Sequence, residues 1–256
     1  MGGKRLPDVT LLGVDCVNIN RLVNVARMCR RHIEFGDVKL LSSKSSNDDS
    51  VVLIPHVAST AEYSKFMIKE LDNYVHTSHV LVIQYDGFIL NPHAWDDEFL
   101  NYDYIGAPWC YTDGLNVGNG GFSLRSKKLL ELLSRDERIV KVHPEDHRIG
   151  RTYRRYLERK GIKFAPESLA ARFSIEGNIK HGWKWNGQFG FHSYLATDLS
   201  GWKIFRSAGV LSDTKFALTY LKHYFEQKIG RETSQEKFSI LCQKMIERSK
   251  FLVEEE

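Results

Sequence analysis

The chain has 256 residues, of which 42% are hydrophobic and 27% are charged, as in ordinary globular proteins. This composition excludes a fibrous or wholly disordered chain, and the length allows one large domain or two small ones. The net charge of +4 is mild and comes without a basic-aromatic pattern, so nucleic acid is not expected as a partner. The charge is compatible with an anionic substrate or a peripheral contact with an anionic membrane face.

The cysteines are scattered and follow neither a C-x-x-C nor a zinc spacing. We expect them to be reduced and mostly buried, which favours a cytoplasmic location. The N-terminal segment has no apolar core of the kind that signal peptides carry, and no apolar run approaches the ~18 residues of a membrane span. The four residues concerned are Cys16, Cys29, Cys110 and Cys242.

Strand and helix patterns alternate in the first part of the chain, which predicts a parallel α/β sheet. Gly36 is expected to separate the first helix from the next strand, and Thr60 is expected to cap the second helix. In chain order, the predicted elements are a strand at 9–14, a helix at 19–33, a strand at 38–41, a helix at 61–75 and a strand at His79–Ile83.

After Asp86 the predicted elements become shorter, and Pro144 opens a helix with two acidic residues in its first turn. We expect a main domain over residues 1–205 and a C-terminal helical extension over 206–256. The predicted elements are a strand at 120–124, helices at 127–133 and 144–160, a strand at 162–165, a helical turn at 168–173, a strand at 173–175, and helices at 213–229 and 233–253.

Several polar residues follow predicted strands, at the sheet edge where open α/β folds bind ligands. Asp15 follows Val14 at the end of the first strand, and Ser43 and Lys44 follow the second strand. Asp86 and Gly87 follow the third strand, so a carboxylate is expected at the same edge. It would suit a divalent cation, or it would only cap a turn before the glycine.

A glycine-rich segment lies further along the chain. Asn119, Gly120 and Gly121 would let a ligand approach bare backbone, and Trp109 would offer a ring face for stacking. A tight turn before a strand, with Trp109 in the core, explains the same residues and stays open.

Five motifs, taken together and in order, make the chain similar to a known family. The chain resembles GT-A-type glycosyltransferases of bacterial and large-virus surface-glycan biosynthesis over roughly residues 9–192. The resemblance implies a GT-A-like fold, in which a Rossmann-like mixed sheet is flanked by helices. The motifs are VIQYDGF at 82–88, YDYIGAPW at 102–109, GNGGFSLR at 118–125, PED at 144–146 and FGFH at 189–192.

The resemblance implies a hexosyltransferase that moves a sugar from a nucleotide-sugar donor, with a UDP-hexose as the first expectation. The acceptor would be a hydroxyl of a glycan or a lipid-linked glycan, and the reaction would be inverting and metal-assisted. The residues expected to bind the donor nucleotide are Val14, Asp15, Ser43, Lys44, Gln84, Tyr85 and Asp86. Those expected to bind donor sugar or acceptor are Trp109, Asn119, Gly120 and Gly121.

The resemblance also implies a metal site for Mn²⁺ or Mg²⁺. The family's Asp-x-Asp motif has Gln84 at its first position here and Asp86 at its second, which is the usual direct metal contact. His192 would complete the site, with His181 as the second choice. Alternatively, His192 is satisfied by backbone hydrogen bonds or contacts the diphosphate.

The acidic pair Glu145–Asp146 matches the pair in which the second acid is often the base. Asp146 is therefore expected to deprotonate the acceptor, and Glu145 to bind donor or acceptor hydroxyls. A helix N-terminus would keep both carboxylates ionised, and stabilising that helix is the alternative role.

Two other functions remain compatible with the sequence. One is a nucleotidyltransferase on a related sheet, which would consume a nucleoside triphosphate and release diphosphate. The other is a non-catalytic module that binds a nucleotide-sugar, and Gln84 in place of an acid keeps this possibility open.

Overall fold

The computed structural model describes residues 3–176 and 186–192. Two sheets lie within this part of the chain, one of six strands in the order β3-β2-β1-β4-β7-β6 and one of three in the order β5-β9-β8. The strands are β1 Lys4–Val14, β2 Ile33–Ser42, β3 Val51–Leu53, β4 His79–Ile83, β5 Gly87–Ile89, β6 Tyr104–Gly106, β7 Ser123–Ser126, β8 Ser174–Glu176 and β9 Gly190–His192.

Helices flank the larger sheet, in which β1 to β4 run parallel while β7 pairs antiparallel with both β4 and β6. This confirms the predicted α/β class and its mixed, helix-flanked sheet. The described helices are α1 Ile19–Cys29, α2 Thr60–Lys69, α3 Lys127–Arg135, α4 Glu145–His147, α5 Arg154–Arg159 and α6 Glu167–Phe173.

Apolar side chains from the sheet and from α2 and α3 form one core layer. Residues on β1, β2 and β4 point to the same face of the sheet because side chains alternate along a strand. Their burial removes apolar surface from water at about 25 cal/mol per Å². Members of this cluster include Leu12, Leu41, Phe66, Met67, Val80 and Leu130.

The three-stranded sheet is held by aromatic packing instead. Its β5 pairs antiparallel with β9, and β8 pairs parallel with β9. Rings from β5, β9 and neighbouring segments meet edge to face, stacked or tilted, with centroids 4.7 to 5.8 Å apart. This packing fixes the position of β9, which ends in a histidine. The rings belong to Phe88, Phe99, Phe122, Phe173, Phe189 and Phe191.

Gly36 lies within β2, so its prediction as a helix breaker was wrong. A Cβ on this residue would lie 1.8 Å from the carbonyl oxygen of Pro7. The glycine therefore permits β1 and β2 to approach closely near a shift in their register. Helix α1 ends at Cys29, and Ile33 begins a strand rather than ending a helix.

Two predicted helices are divided in the structure. The helix expected over 61–75 consists of α2 and a 3₁₀ turn at Leu71–Tyr74. The helix expected over 144–160 consists of α4, a π-helical turn at Arg148–Thr152 and α5.

The strand predicted at 162–165 is reduced to a single bridge between Tyr104 and Phe164. Cys16 and Cys29 are buried thiols, whereas Cys110 is exposed. The predictions for Cys242 and for the helices at 206–256 lie outside the described residues. No helix in the described ranges is long and apolar enough to cross a membrane.

Ser59, not Thr60, caps α2. Its hydroxyl accepts a hydrogen bond from the amide of Glu62 at 3.1 Å. We expect Ser59→Ala to lower the free energy of unfolding by about 1 kcal/mol, because that amide loses its acceptor. Thr60→Ala is the matched control, and urea denaturation of both variants gives the comparison. An equal or larger loss in Thr60→Ala would contradict this assignment.

Candidate active site

The candidate site lies at the edge where the parallel strands end. β1 ends at Val14, β2 at Ser42 and β4 at Ile83, so the segments that follow them meet at this edge. Because β7 runs antiparallel to β4, with Val82 opposite Ser123, the glycine turn that precedes β7 reaches the same edge. The topology thus brings together motifs that are far apart in the sequence.

A tight turn follows β4 and carries Asp86. Gln84 and Gly87 exchange backbone hydrogen bonds of 2.9 and 3.1 Å, which closes the turn. The chain then continues into β5, where Gly87 pairs directly with His192 of β9. A local turn and one non-local strand pairing therefore place a carboxylate beside an imidazole.

Asp86 and His192 face each other with 3.9 Å between Oδ1 and Nε2. Asp86 Oδ1 is buried and has no hydrogen-bond partner among the described residues. Leaving a carboxylate oxygen buried and unpaired costs free energy, because the oxygen loses its hydration without compensation. A positively charged ligand at this position would remove that cost.

Gln84 lies between His192 and the partly buried Tyr63. Its Nε2 donates to the Tyr63 hydroxyl at 2.9 Å, so its Oε1 is left to accept from His192 Nε2 at 3.2 Å. Burial raises the pKa of Tyr63, so this hydroxyl stays protonated. A neutral amide therefore orients the imidazole, at the position where the resembling family typically has a second carboxylate.

Glu176 and Asn119 complete the surroundings of His192. Asn119 donates to Glu176 Oε1 at 2.8 Å, and its own side-chain oxygen accepts from the Gly121 amide at 2.8 Å. Glu176 Oε1 lies 3.7 Å from His192 Nδ1, within ion-pair range but beyond a hydrogen bond. The sequence analysis missed Glu176, whose position follows from its pairing with His192 across β8 and β9.

The charge environment of His192 is strongly negative. Burial alone would lower the pKa of its imidazole, but the carboxylates of Glu176, Asp86 and Asp146 outweigh burial and raise that pKa above its ordinary value. The site therefore favours positive charge next to these carboxylates.

The glycines at 120 and 121 let these groups come together. A Cβ on Gly121 would lie 2.0 Å from His192 Nε2, and a Cβ on Gly120 would lie 2.5 Å from Glu145 Oε1. Neither distance is possible for real atoms, so a side chain at either position would displace the imidazole or the acidic pair. The backbone of Gly120 and Gly121 thus forms one side of the site, which we call the glycine wall.

Gly121→Ala is expected to abolish any cation-dependent ligand binding, because the added methyl must push His192 away. Overpacking of this kind also costs about 1–3 kcal/mol of stability. Gly36→Ala is the control, since its Cβ clashes with Pro7 in another part of the fold. Titrating both variants with Mn²⁺ and ligand in a calorimeter gives the comparison. Equal ligand affinities in the two folded variants would contradict the role assigned to the glycine turn.

The acidic pair lies behind Gly120. Glu145 is buried, with Oε1 3.4 Å from Arg125 Nη2, and Asp146 Oδ2 lies 3.4 Å from the Gly120 amide. Burial raises the pKa of Glu145, although Arg125 opposes the shift and Asp146 adds to it. α4 has only three residues, so burial and Arg125 are the larger influences on Glu145, and the ionisation of both carboxylates stays a prediction.

Trp109 belongs to a half-exposed aromatic group beside the acidic pair. Its ring lies 4.8 Å from the His147 ring and packs over Gly150, at which a Cβ would lie 3.0 Å from the indole. Tyr111 lies 6.0 Å from the same histidine and is covered on one side by Arg151. Trp109 is therefore not a core residue, and sugar binding by it stays a prediction.

The residues predicted to bind the nucleotide at the first two strands form a separate cluster. Asp15 is buried and accepts from the amides of Val17 and Asn18 and from Arg21. Because its oxygens are occupied, Asp15 has a structural role at the start of α1. Arg21 in turn lies 3.8 Å over the Tyr85 ring, which connects this cluster to the turn that carries Asp86.

Ser43 and Lys44 lie at the same edge. Ser43 Oγ is 3.0 Å from His56 Nδ1, and Lys44 Nζ donates to the Val17 carbonyl at 2.9 Å. Both side chains are satisfied within the protein, so nucleotide binding by them stays a prediction. His181 lies outside the described residues.

Asp86 and His192 fit a hard divalent cation as two of its ligands. Two ligands about 2.1 Å from one ion lie about 3 to 4 Å apart, and the two atoms are 3.9 Å apart. In the described ranges, no cluster of three or more His, Cys, Asp or Glu side chains could hold an ion alone. A bound phosphate-bearing ligand and water would have to supply the remaining oxygens.

Fold and site together define an α/β protein whose sheet edge carries a carboxylate–imidazole pair, a glycine wall and a buried acidic pair. The chain belongs to the family described as "Protein of unknown function (DUF5672)", whose model matches residues 51–192. That range contains all of these features. A comparison with curated proteins gave no match.

Among solved structures, the chain is similar to a glycosyltransferase involved in glycosylation of the PBCV-1 major capsid (12% identity, 79% of this chain and 98% of that one, TM-score 0.45). It is also similar to an active-site mutant of LgtC, with 13% identity over 78% of this chain and 95% of that one and a TM-score of 0.47. A third similar structure is that of the mannosyltransferase PcManGT from Pyrobaculum calidifontis in complex with GDP-Man and Mn²⁺. Its identity is 11%, the match covers 64% of this chain and 56% of that one, and the TM-score is 0.40. At these values, similarity says nothing about what this chain binds or catalyses.

Proposed function

We propose that the protein is a glycosyltransferase that moves a sugar from a nucleotide-sugar donor to a hydroxyl of a glycan acceptor. The donor is a UDP-hexose, and the reaction is inverting and assisted by Mn²⁺ or Mg²⁺. The observation that carries the proposal is the Asp86–His192 pair, in which a buried carboxylate oxygen has no hydrogen-bond partner among the described residues and faces an imidazole.

The pair suits a donor with a diphosphate. Asp86 Oδ1 and His192 Nε2 would hold the cation, which supplies charge neutralisation for the diphosphate that leaves. Because the cation would take the place of the proton on Nε2, the hydrogen bond from Nε2 to Gln84 would be given up, and Glu176, 3.7 Å from Nδ1, would orient the imidazole. The donor sugar lies against the backbone of Gly120 and Gly121, where no side chain obstructs it.

Asp146 takes the proton from the acceptor hydroxyl in this proposal. Its Oδ2 lies 3.4 Å from the Gly120 amide, next to the glycine wall against which the donor sugar lies. Glu145 is held by Arg125 and binds a sugar hydroxyl rather than taking the proton. The half-exposed Trp109 then provides a ring face for the acceptor sugar.

The proposed acceptor also bears on where in the cell the protein would act. An acceptor linked to lipid would bring the protein to a cytoplasmic membrane face, to which its mild positive charge is suited. The C-terminal segment at 206–256 is the part of the chain that we assign to this contact.

A thermal-shift screen of nucleotide-sugars, with and without Mn²⁺, tests the proposal. A ligand at about 100 times its Kd adds about 2.7 kcal/mol, which corresponds to roughly 5 to 10 °C in Tm for a chain of this size. We expect the largest shift for a UDP-hexose with Mn²⁺, together with slow donor hydrolysis that releases UDP. The absence of any stabilising nucleotide-sugar would overturn the proposal.

Gln84 favours one competing function, a non-catalytic module that binds a nucleotide-sugar. An amide in place of a carboxylate leaves the cation one negative charge fewer, which weakens a hard-cation site. Such a module would be stabilised by the same ligand but would neither hydrolyse it nor transfer its sugar.

A further inference from the structure

We infer that Arg125 is a positioning residue for this reaction, holding the Gly120 peptide and the Glu145 carboxylate in one arrangement. The inference rests on the proposed function, because it assigns the residue a role in turnover rather than in donor binding. It arises from an arginine that is fully buried on a central strand, where an apolar side chain would ordinarily lie.

Arg125 makes three directed contacts with the site. Its Nε donates to Ser123 Oγ at 3.0 Å, and its Nη2 donates to the Gly120 carbonyl at 3.1 Å. The same Nη2 lies 3.4 Å from Glu145 Oε1. A buried guanidinium is costly in free energy, and replacing it with apolar packing is often neutral for stability. These contacts therefore indicate a role beyond packing.

The Gly120 peptide is held from both sides. Its carbonyl accepts from Ser123 Oγ at 2.9 Å as well as from Arg125, and its amide faces Asp146 Oδ2 at 3.4 Å. Arg125 and the carboxylate of Asp146 are thus linked through one residue, Gly120. Any movement of the guanidinium would shift this residue and, with it, the acidic pair.

Lysine would not replace this arginine. An ammonium keeps the charge but cannot reproduce a planar fork that contacts a hydroxyl, a carbonyl and a carboxylate at once. Because a displacement of about 1 Å can reduce the rate of a reaction about 100-fold, turnover should suffer most. Donor affinity should change much less, because the cation-binding pair, which would hold the diphosphate, has no contact with Arg125 in its hydrogen bonds and ion pairs to Ser123, Gly120 and Glu145.

Arg125→Lys is compared with Arg154→Lys, a matched control. Arg154 is also buried, and it contacts Glu158 at 2.6 Å and the Val117 carbonyl at 3.2 Å, away from the acidic pair. For Arg125→Lys we expect kcat to fall about 100-fold while the donor KM stays within about 3-fold. Arg154→Lys should keep the wild-type kcat.

A second pair of variants decides the question if Arg125→Lys does not fold. Ser123→Ala removes the hydroxyl that supports both Arg125 and Gly120, and Ser174→Ala removes a buried hydroxyl with no hydrogen-bond partner among the described residues. We expect kcat to fall about 10-fold in Ser123→Ala, because the peptide is less firmly held. Ser174→Ala should leave kcat unchanged.

The outcomes separate this inference from the proposed function. A wild-type protein and controls that neither transfer nor hydrolyse a donor would overturn both. An active wild type, with Arg125→Lys and Ser123→Ala turning over as fast as their controls, would overturn the inference alone. A selective loss of kcat in either test variant, with the donor KM preserved, would support it.

Discussion

Asp86→Asn is expected to lower kcat/KM for sugar transfer at least about 100-fold and to remove the dependence of donor binding on Mn²⁺. The substitution keeps the shape of the side chain but removes its negative charge. In the wild type, Asp86 Oδ1 is buried beside His192 and has no hydrogen-bond partner among the described residues. A cation that stabilises a leaving group contributes several kcal/mol, and each ~1.36 kcal/mol is a tenfold change in rate. Steady-state kinetics and calorimetric titration with donor and Mn²⁺ measure both effects.

Asp97→Asn is the control for this substitution. Asp97 forms an exposed ion pair with Lys4, and such pairs contribute about 0–1 kcal/mol to stability. The control should therefore retain the wild-type kcat/KM and the wild-type response to Mn²⁺. If Asp86→Asn behaved like Asp97→Asn, the cation site would have to be assigned elsewhere.

Asp146→Asn should lower kcat about 10²- to 10⁴-fold while leaving donor binding nearly unchanged. An amide can still accept the hydrogen bond that Asp146 Oδ1 receives from the His147 amide, so the local backbone should survive. The amide cannot take a proton from the acceptor hydroxyl. Comparing the donor Kd with kcat for transfer tests both halves of this expectation.

Glu158→Gln provides the matched loss of a carboxylate outside the site, since Glu158 pairs with Arg154 on α5. We expect this variant to turn over at the wild-type rate. Full turnover by Asp146→Asn would remove the base assignment, and Glu145 would then be the next residue to test.

The local parts of the fold could be predicted because they depend on local patterns. The strand β4 begins and ends where its apolar run does, and α6 lies within one residue of the predicted helical turn. The boundaries that failed depend on tertiary contacts. Gly36 is a strand residue because Pro7 of the neighbouring strand lies against it, and a single sequence does not reveal such a contact.

The residues of the site also divide into those that a local pattern or motif predicts and those that only tertiary contacts bring together. Asp86 could be proposed because a turn follows a buried strand, and His192 could be proposed from the family resemblance alone. Glu176, Tyr63 and Arg125 could not be proposed, because their roles arise from a strand pairing and from side chains that meet only in the folded chain. The burial of Glu145, which raises its pKa, could not be predicted for the same reason.

A crystal structure with a UDP-hexose and Mn²⁺, using the anomalous signal of manganese, tests the central claim most directly. The account predicts one manganese ion within about 2.1 to 2.3 Å of Asp86 Oδ1 and His192 Nε2, with diphosphate oxygens completing its ligands. A donor bound at full occupancy with Asp86 turned away from its phosphates, and no anomalous peak near His192, would contradict it.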